Sequence, residues 1–354
     1  MKVAIILGTR PEIIKMAPII MELKKKRINH LIIHSGQHYS FNLDKVFFKQ
    51  LALPAPNYRL DVGSAPPGEQ TGLIISRTEK ILLKNRPDIV LVQGDTNTVL
   101  GGAIAARKLG IPVGHVEAGL RSYDETMPEE WNRILADHCS DFLFAPTKKA
   151  QSILLHEGIS KNKVFLTGNT IVDSVKQNLK GIANLDKLDI SPKKYFLVSL
   201  HRQENVDDQN RFKNIVSGLK KIGQEYKMPI VFPIHPRSRK MAKKFRINFD
   251  GINIIEPVNY LQFLFMQKNA RLVLTDSGGV QEESCILGVP CVTLRDNTER
   301  PETLDVGANL LAGDKPAKIL ACAKKMLSRK NNWKNPFGDG KSALRIIRII
   351  QEKL

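Results

Sequence analysis

The chain has 354 residues, with 42% apolar, 6% aromatic and 25% charged residues, which fits two folded domains that each bury a core and excludes a disordered chain. The net charge of +19 suggests a polyanion partner, but ten basic and one acidic residue in 213–246 and eleven and two in 315–354 supply nearly all of it. Both stretches read as helices with lysines beside apolar residues, a solvated face. Without an RNP-type aromatic motif, helix-turn-helix or zinc knuckle, no nucleic-acid partner is expected.

No apolar run reaches the ~18–20 residues needed to cross a bilayer. The run after Lys2 is too short for a signal peptide, so no membrane association and a cytoplasmic location are expected. Cys139, Cys285, Cys291 and Cys322 lack CxxC spacing and read as reduced packing residues; the eight histidines lack zinc spacing, and no metal is expected.

Strand-like apolar runs recur in chain order, each followed by a small-residue turn and a helical pattern. Lys2–Leu7 leads into Gly8 and a helix opened by Pro11, and Leu31–His34 into Ser35-Gly36-Gln37-His38. Ile89–Val92 leads into Gly94-Asp95-Thr96, Val113–Val116 into Glu117-Ala118-Gly119, and Phe142–Ala145 into Pro146-Thr147. The rhythm restarts after Gly168. Phe196–Leu200 ends at His201-Arg202, Ile230–Ile234 at His235-Pro236, and Leu272–Thr275 at Asp276-Ser277-Gly278-Gly279; Val289–Leu294 follows. This alternation predicts α/β architecture with two Rossmann-like parallel-sheet domains facing a cleft, 1–168 and 169–341, with a last helix at about 342–354 returning to the first. Ligands bind beyond the carboxyl ends of such strands, so Arg10, Asp95, Glu117, His201, His235 and Ser277 are expected to converge there.

Ser277-Gly278-Gly279 at a strand-to-helix junction suits an anion, because two glycines let backbone approach and the helix end is positive. Glu283, about one turn on, can accept hydrogen bonds from ribose. A tight turn with an acidic first turn explains the same residues. Gly8-Thr9-Arg10-Pro11-Glu12 matches neither GxxxxGK[ST] nor GxGxxG. Arg10 could still grip a phosphate, with Lys15 a turn further, or both could be surface charges. Asp95, Glu117 and Glu129 are three carboxylates expected in one cleft, where mutual repulsion separates their titrations for acid–base work. As plainer readings, Asp95 would be a helix N-cap and Glu129 a first-turn acid; Glu117 has no such explanation. His201 and His235 close matching strands and, with Arg202 and Arg237, suit a pyrophosphate leaving group.

Taken together, Gly8-Thr9-Arg10-Pro11-Glu12, Gly94-Asp95-Thr96, Gly114–Arg121, Pro128-Glu129-Glu130, Thr167–Thr170, His201–Asn205, Asp276–Glu283, Thr298–Glu302 and Asn335–Gly340 resemble the non-hydrolysing UDP-N-acetylglucosamine 2-epimerases over nearly the whole chain. The resemblance implies a glycosyltransferase-B-like fold, a homodimer, and no metal or nicotinamide. It implies interconversion of UDP-N-acetylglucosamine and UDP-N-acetylmannosamine for cell-surface polysaccharides or glycans. By position, Asp95, Glu117, Glu129 and His201 are similar to the catalytic group. Arg10, Lys15, His235, Ser277, Gly278, Gly279, Glu283 and Arg300 are similar to the UDP site, and Gln37-His38 to part of a second, activating site. The competing readings are a hydrolysing epimerase releasing N-acetylmannosamine and UDP, a UDP-sugar glycosyltransferase of the same fold, and a basic nucleic-acid-binding protein.

Overall fold

The computed structural model of the chain describes residues 1–37, 41–179 and 191–354. It divides into two compact units, Met1–Lys176 with Phe337–Leu354, and Gln177–Pro336.

The first unit is built on seven strands: β1 (Lys2–Leu7), β2 (Asn29–His34), β3 (Tyr58–Arg59), β4 (Ile89–Gln93), β5 (Val113–Val116), β6 (Phe142–Ala145) and β7 (Val164–Leu166). They lie in the order β3-β2-β1-β4-β5-β6-β7, and every pair is parallel. Parallel sheets are covered on both faces, which is why the central strands carry continuous apolar runs: Val3 to Leu7 and Ile89 to Val92 are fully buried. The helix Arg10–Lys25 after β1 has Pro11 in its first turn and Lys24 and Lys25 in its last, each suited to its end of the helix dipole or backbone. The final helix Ser342–Lys353 packs against Arg10–Lys25 and buries Ala343, Ile346, Ile347 and Ile350. Its first turn is held by Asp173, whose carboxylate accepts the Ser342 and Ala343 N–H groups at 3.2 and 3.0 Å.

The second unit has six parallel strands: β8 (Phe196–Ser199), β9 (Ile230–Pro233), β10 (Asn253–Ile255), β11 (Leu272–Thr275), β12 (Cys291–Thr293) and β13 (Asn309–Leu311). Their order is β10-β9-β8-β11-β12-β13. Phe196, Val198, Phe232, Leu272 and Leu274 form one face of its core, against Phe212, Ile215 and Leu219 of the helix Gln209–Tyr226.

Each sheet has a single reversal of strand order, at β1/β4 in the first unit and at β8/β11 in the second. The crevice beyond such a reversal is where open α/β sheets accept ligands. Gly8–Arg10 and Gly94–Asn97 leave the first reversal, and Leu200–Arg202 and Asp276–Gly279 the second. Among the described residues, no helix is long and apolar enough to cross a membrane, and the four cysteines are free thiols.

One glycine near the first reversal is fixed by geometry. Gly119 has φ +83°, and a Cβ there would lie 2.4 Å from the Ala150 carbonyl oxygen and 2.8 Å from Leu154 Cγ. Gly119→Ala is therefore expected to lower stability by about 2–4 kcal/mol, combining a left-handed backbone penalty with overpacking. A urea unfolding midpoint unchanged from the parent protein would contradict this.

Candidate active site

At the β1/β4 reversal, two loops are joined by Glu12. One carboxylate oxygen accepts the N–H groups of Gly8 and Thr9, and the other accepts the Thr96 hydroxyl. Burial pushes this carboxyl up from 4.5 to about 7, Asp95 adds to the rise, and the hydrogen bonds oppose it. The native state therefore holds the Glu12 proton more tightly than the unfolded chain does. Its contribution to stability is full below pH 4.5 and is lost as pH rises through about 7. Glu12→Gln should remove that slope from the stability–pH curve, as followed by denaturant titration between pH 4 and about 8; an unaltered slope would assign it elsewhere.

Asp95 is not the helix cap that its position after Gly94 suggested. Thr96 occupies the cap position of Asn97–Lys108, while the Asp95 carboxylate binds the Arg133 guanidinium at 2.6 Å. Arg133 also pairs with Glu130 at 2.9 Å. Glu130 is buried and accepts the Ser122 and Tyr123 N–H groups at 2.8–3.0 Å. Burial would raise the Glu130 carboxyl, but those N–H groups and Arg133 outweigh it and hold it below the usual range. Glu129, one residue before, lies half-buried in the first turn of Pro128–Cys139.

Glu117 directly follows β5 in a left-handed conformation, φ +71°, that is costly for a residue other than glycine. The Phe144 carbonyl of β6 holds it there by accepting both the Glu117 and Ala118 N–H groups, at 3.1 and 3.3 Å. Its side chain is only 5% exposed. Lys15, from the helix after β1 and 4% exposed, donates to both of its oxygens at 2.7 and 2.6 Å, and Gln93 donates at 2.8 Å. Lys15 is thus brought onto Glu117. Arg10, at the start of the same helix, stacks over the Phe47 ring at 5.3 Å. Gln37 accepts the Thr98 N–H and hydroxyl at 3.2 and 2.6 Å; His38 lies outside the described residues.

At the β8/β11 reversal, Asp276 is the organising group. It is fully buried and accepts the His201 and Arg202 N–H groups at 2.9 and 2.8 Å, with the His201 ring Nδ1 at 3.2 Å. Burial alone would raise its carboxyl; His201 and the backbone donors prevail and hold it low. The His201 and His235 rings are 5.3 Å apart, and His235 caps the helix Pro236–Phe245 by accepting the Arg237 N–H at 3.2 Å. Ser277, Gly278 and Gly279 open the helix Gly278–Ile286, on whose second turn Glu283 is buried.

The two glycines differ in what they allow. A Cβ on Gly278 would stand 2.6 Å from Glu299 Oε1, so its missing side chain admits a carboxylate of the protein itself, whereas a Cβ on Gly279 would make only an ordinary contact with Ser277 Oγ at 4.0 Å. Burial would raise the Glu299 carboxyl, but Arg300, Arg295 and Arg202 hold it far below the usual range. Arg300 Nε lies 2.8 Å from Glu282.

These contacts separate into two chemistries. Around the first reversal, Glu12, Asp95, Glu117 and Glu130 are buried or half-buried carboxylates, each with a defined cationic or polar neighbour. The second offers a helix N-terminus, paired imidazoles and arginines, which suit a phosphate-bearing leaving group. Sequence reasoning passed over Glu12, Gln93, Arg133 and Asp276 as site residues. Asp276 carried a signal, an acid directly after the fully buried strand Leu272–Thr275, and Glu12 carried one in the Thr9-x-x-Glu12 spacing of a capping box; the bonds of Glu12 to Thr96, Gln93 to Glu117 and Arg133 to Asp95 cross long stretches of chain.

The family model for UDP-N-acetylglucosamine 2-epimerase matches residues 21–351. The chain belongs to this family. It is 57% identical over 362 residues to the UDP-N-acetylglucosamine 2-epimerase of Methanocaldococcus jannaschii, covering 99% of each chain. It is 38% identical over 360 residues to the UDP-2,3-diacetamido-2,3-dideoxy-D-glucuronate 2-epimerase of Pseudomonas aeruginosa, again covering 99% of each. The crystal structure of the M. jannaschii epimerase in complex with UDP-GlcNAc and UDP superposes with a TM-score of 0.94, over 99% of this chain and all of that one. Family membership makes the chain an epimerase, an isomerase acting on a nucleotide sugar, with the glycosyltransferase-B-like fold of its relatives. It also favours the epimerase over the glycosyltransferase reading.

Proposed function

We propose that the chain interconverts UDP-N-acetylglucosamine and UDP-N-acetylmannosamine at C2 without net hydrolysis. The observation that carries this reading is Glu117, a carboxylate held in a left-handed strand-end turn and clamped by Lys15 and Gln93. C2 of the sugar has no adjacent carbonyl, so its proton is not acidic in the ground state. Loss of UDP from C1 builds oxocarbenium character, which acidifies C2–H and gives 2-acetamidoglucal. Glu117 takes the proton as general base. Asp95 and Glu129 divide the remaining tasks, one returning a proton to the opposite face and the other stabilising the cation. His201, oriented by Asp276, assists the departing phosphate.

Arg10, His235, Ser277, Gly278, Gly279, Glu283 and Arg300 hold UDP for re-addition, the last bond of the cycle. Lys15 is assigned to the same group by position, although its contacts support a role on Glu117. Identity of 57% to the M. jannaschii enzyme supports the N-acetylglucosamine substrate over the diacetamido-glucuronate of the 38% relative. A homodimer in the cytoplasm, supplying cell-surface glycan synthesis, belongs to the same reading.

Incubating the purified protein with UDP-N-acetylglucosamine alone and following proton and phosphorus NMR tests it. The expected outcome is a stable mixture of the two sugar nucleotides. Accumulating free UDP and N-acetylmannosamine would establish the hydrolysing reaction instead, and no change in the substrate would reject both.

A further inference from the structure

His115 lies between the two carboxylate-bearing loops, in the interior of β5 and 0% exposed. Its Nδ1 is 2.7 Å from Asp137 Oδ1, and its Nε2 is 2.9 Å from the Gly94 carbonyl oxygen. Asp137 Oδ2 in turn accepts the Gly119 N–H at 3.1 Å and lies 2.8 Å from the Arg121 guanidinium. We propose that His115 is a positioning residue for the epimerisation: donating from both ring nitrogens, it pins the Gly94 carbonyl beside Asp95 and, through Asp137, the Gly119 amide beside Glu117. The proposal rests on the reading above, in which Asp95 and Glu117 act on the sugar.

The charge state follows from the partners. A carbonyl oxygen can only accept. Asp137, holding a guanidinium and a backbone N–H on its other oxygen, is ionised and also accepts. A neutral imidazole has one N–H and leaves one of these contacts unmade, whereas the imidazolium makes both. The charged groups facing it are Asp137 from the helix Pro128–Cys139 and Arg121 from the loop after β5, which is itself clamped by Glu157 at 2.8 and 2.6 Å. Burial would lower the His115 pKa, but Asp137 and the Gly94 carbonyl outweigh burial and Arg121, and the value rises above 6.5.

Both anchored residues have positive φ, +91° at Gly94 and +83° at Gly119. Each is one or two residues from a proposed catalytic carboxylate, so a tilt of either peptide swings that carboxylate. The bond to Gly94 therefore exists fully while the ring is charged and is weakened as pH rises through the raised value. The consequence is an alkaline limb in kcat with little change in KM.

The test uses the full chain. In histidine-15N-labelled protein, both His115 ring nitrogens should be protonated at pH 7. His115→Gln, which can satisfy one partner only, should lower kcat by about 100-fold, the scale of a small misplacement of reacting groups. It should also lose the alkaline limb, while UDP affinity stays within about threefold of the parent. Asp137→Asn, a near-isosteric change that removes the countercharge, gives the same reading should the first variant fold poorly. A neutral ring at pH 7, or a folded variant turning over within about twofold of the parent, overturns the proposal. Glu117→Gln run in parallel separates the two levels. If it loses turnover while His115→Gln does not, the positioning role alone is wrong; if Glu117→Gln keeps its rate, the reading of the site fails and the proposal with it.

Discussion

Lys15→Met is expected to destabilise the protein by about 3–5 kcal/mol, the cost of breaking a buried ion pair from one side. The ammonium and the Glu117 carboxylate approach to 2.6 Å with 5% and 3% of their side-chain surface exposed, so water cannot take over either charge. The double variant Lys15→Met/Glu117→Gln should lose much less than the sum of the two singles, because no uncompensated charge remains; interaction energies of about 0.5–3 kcal/mol are usual for such contacts. Additive losses in a denaturant series would mean that the two side chains do not depend on each other. UDP affinity of the double variant decides a second question. If Lys15 grips the diphosphate, affinity drops; if its task is Glu117, affinity is retained.

That Lys15 stands on Glu117 could not be read from the chain, since 102 residues separate them and neither has a local partner that fixes its direction. The sequence pattern placed Glu117 at a strand end and Lys15 a helical turn beyond Arg10, and stopped there. The same holds for Arg133 and Asp95, 38 residues apart: capping rules are local and pointed Asp95 at its own helix, while the structure gives it a cation from another. Gly278 was legible as a position intolerant of a side chain, but for a different reason, because the crowding atom is Glu299.

The elements that the apolar pattern revealed are the interior strands, where burial on both faces writes continuous apolar runs into the sequence. The four it did not reveal, β3, β7, β10 and β13, are the four sheet edges. They have two or three residues each, and Arg59, Leu166 and Asn253 are exposed. An edge strand is half-solvated and short, so its composition approaches that of a loop. Function was legible where the chain turns sharply at a strand end, since glycine, proline and charged residues must then occur at fixed spacing.

Glu117→Gln is expected to slow epimerisation by at least ~10²–10⁴-fold, the range for losing a general base. The amide keeps the shape of the side chain and an acceptor for Lys15, and Gln93 is untouched, so the loss should fall on turnover. UDP affinity should stay near that of the parent, because Ser277–Gly279 and Glu283 belong to the other compact unit. Solvent isotope tests the step itself. Elimination gives the C2 proton to the enzyme and re-addition draws another from solvent, so in D2O the parent enzyme should place deuterium at C2 of the product and, with time, of the substrate pool. In the variant, deuterium incorporation should slow in parallel with epimerisation, because both pass through the same proton abstraction. Epimerised product that keeps protium at C2 would sink the elimination mechanism. Exchange persisting at the parent rate in Glu117→Gln, with epimerisation blocked, would instead make Glu117 the reprotonating group and transfer the base to Asp95 or Glu129.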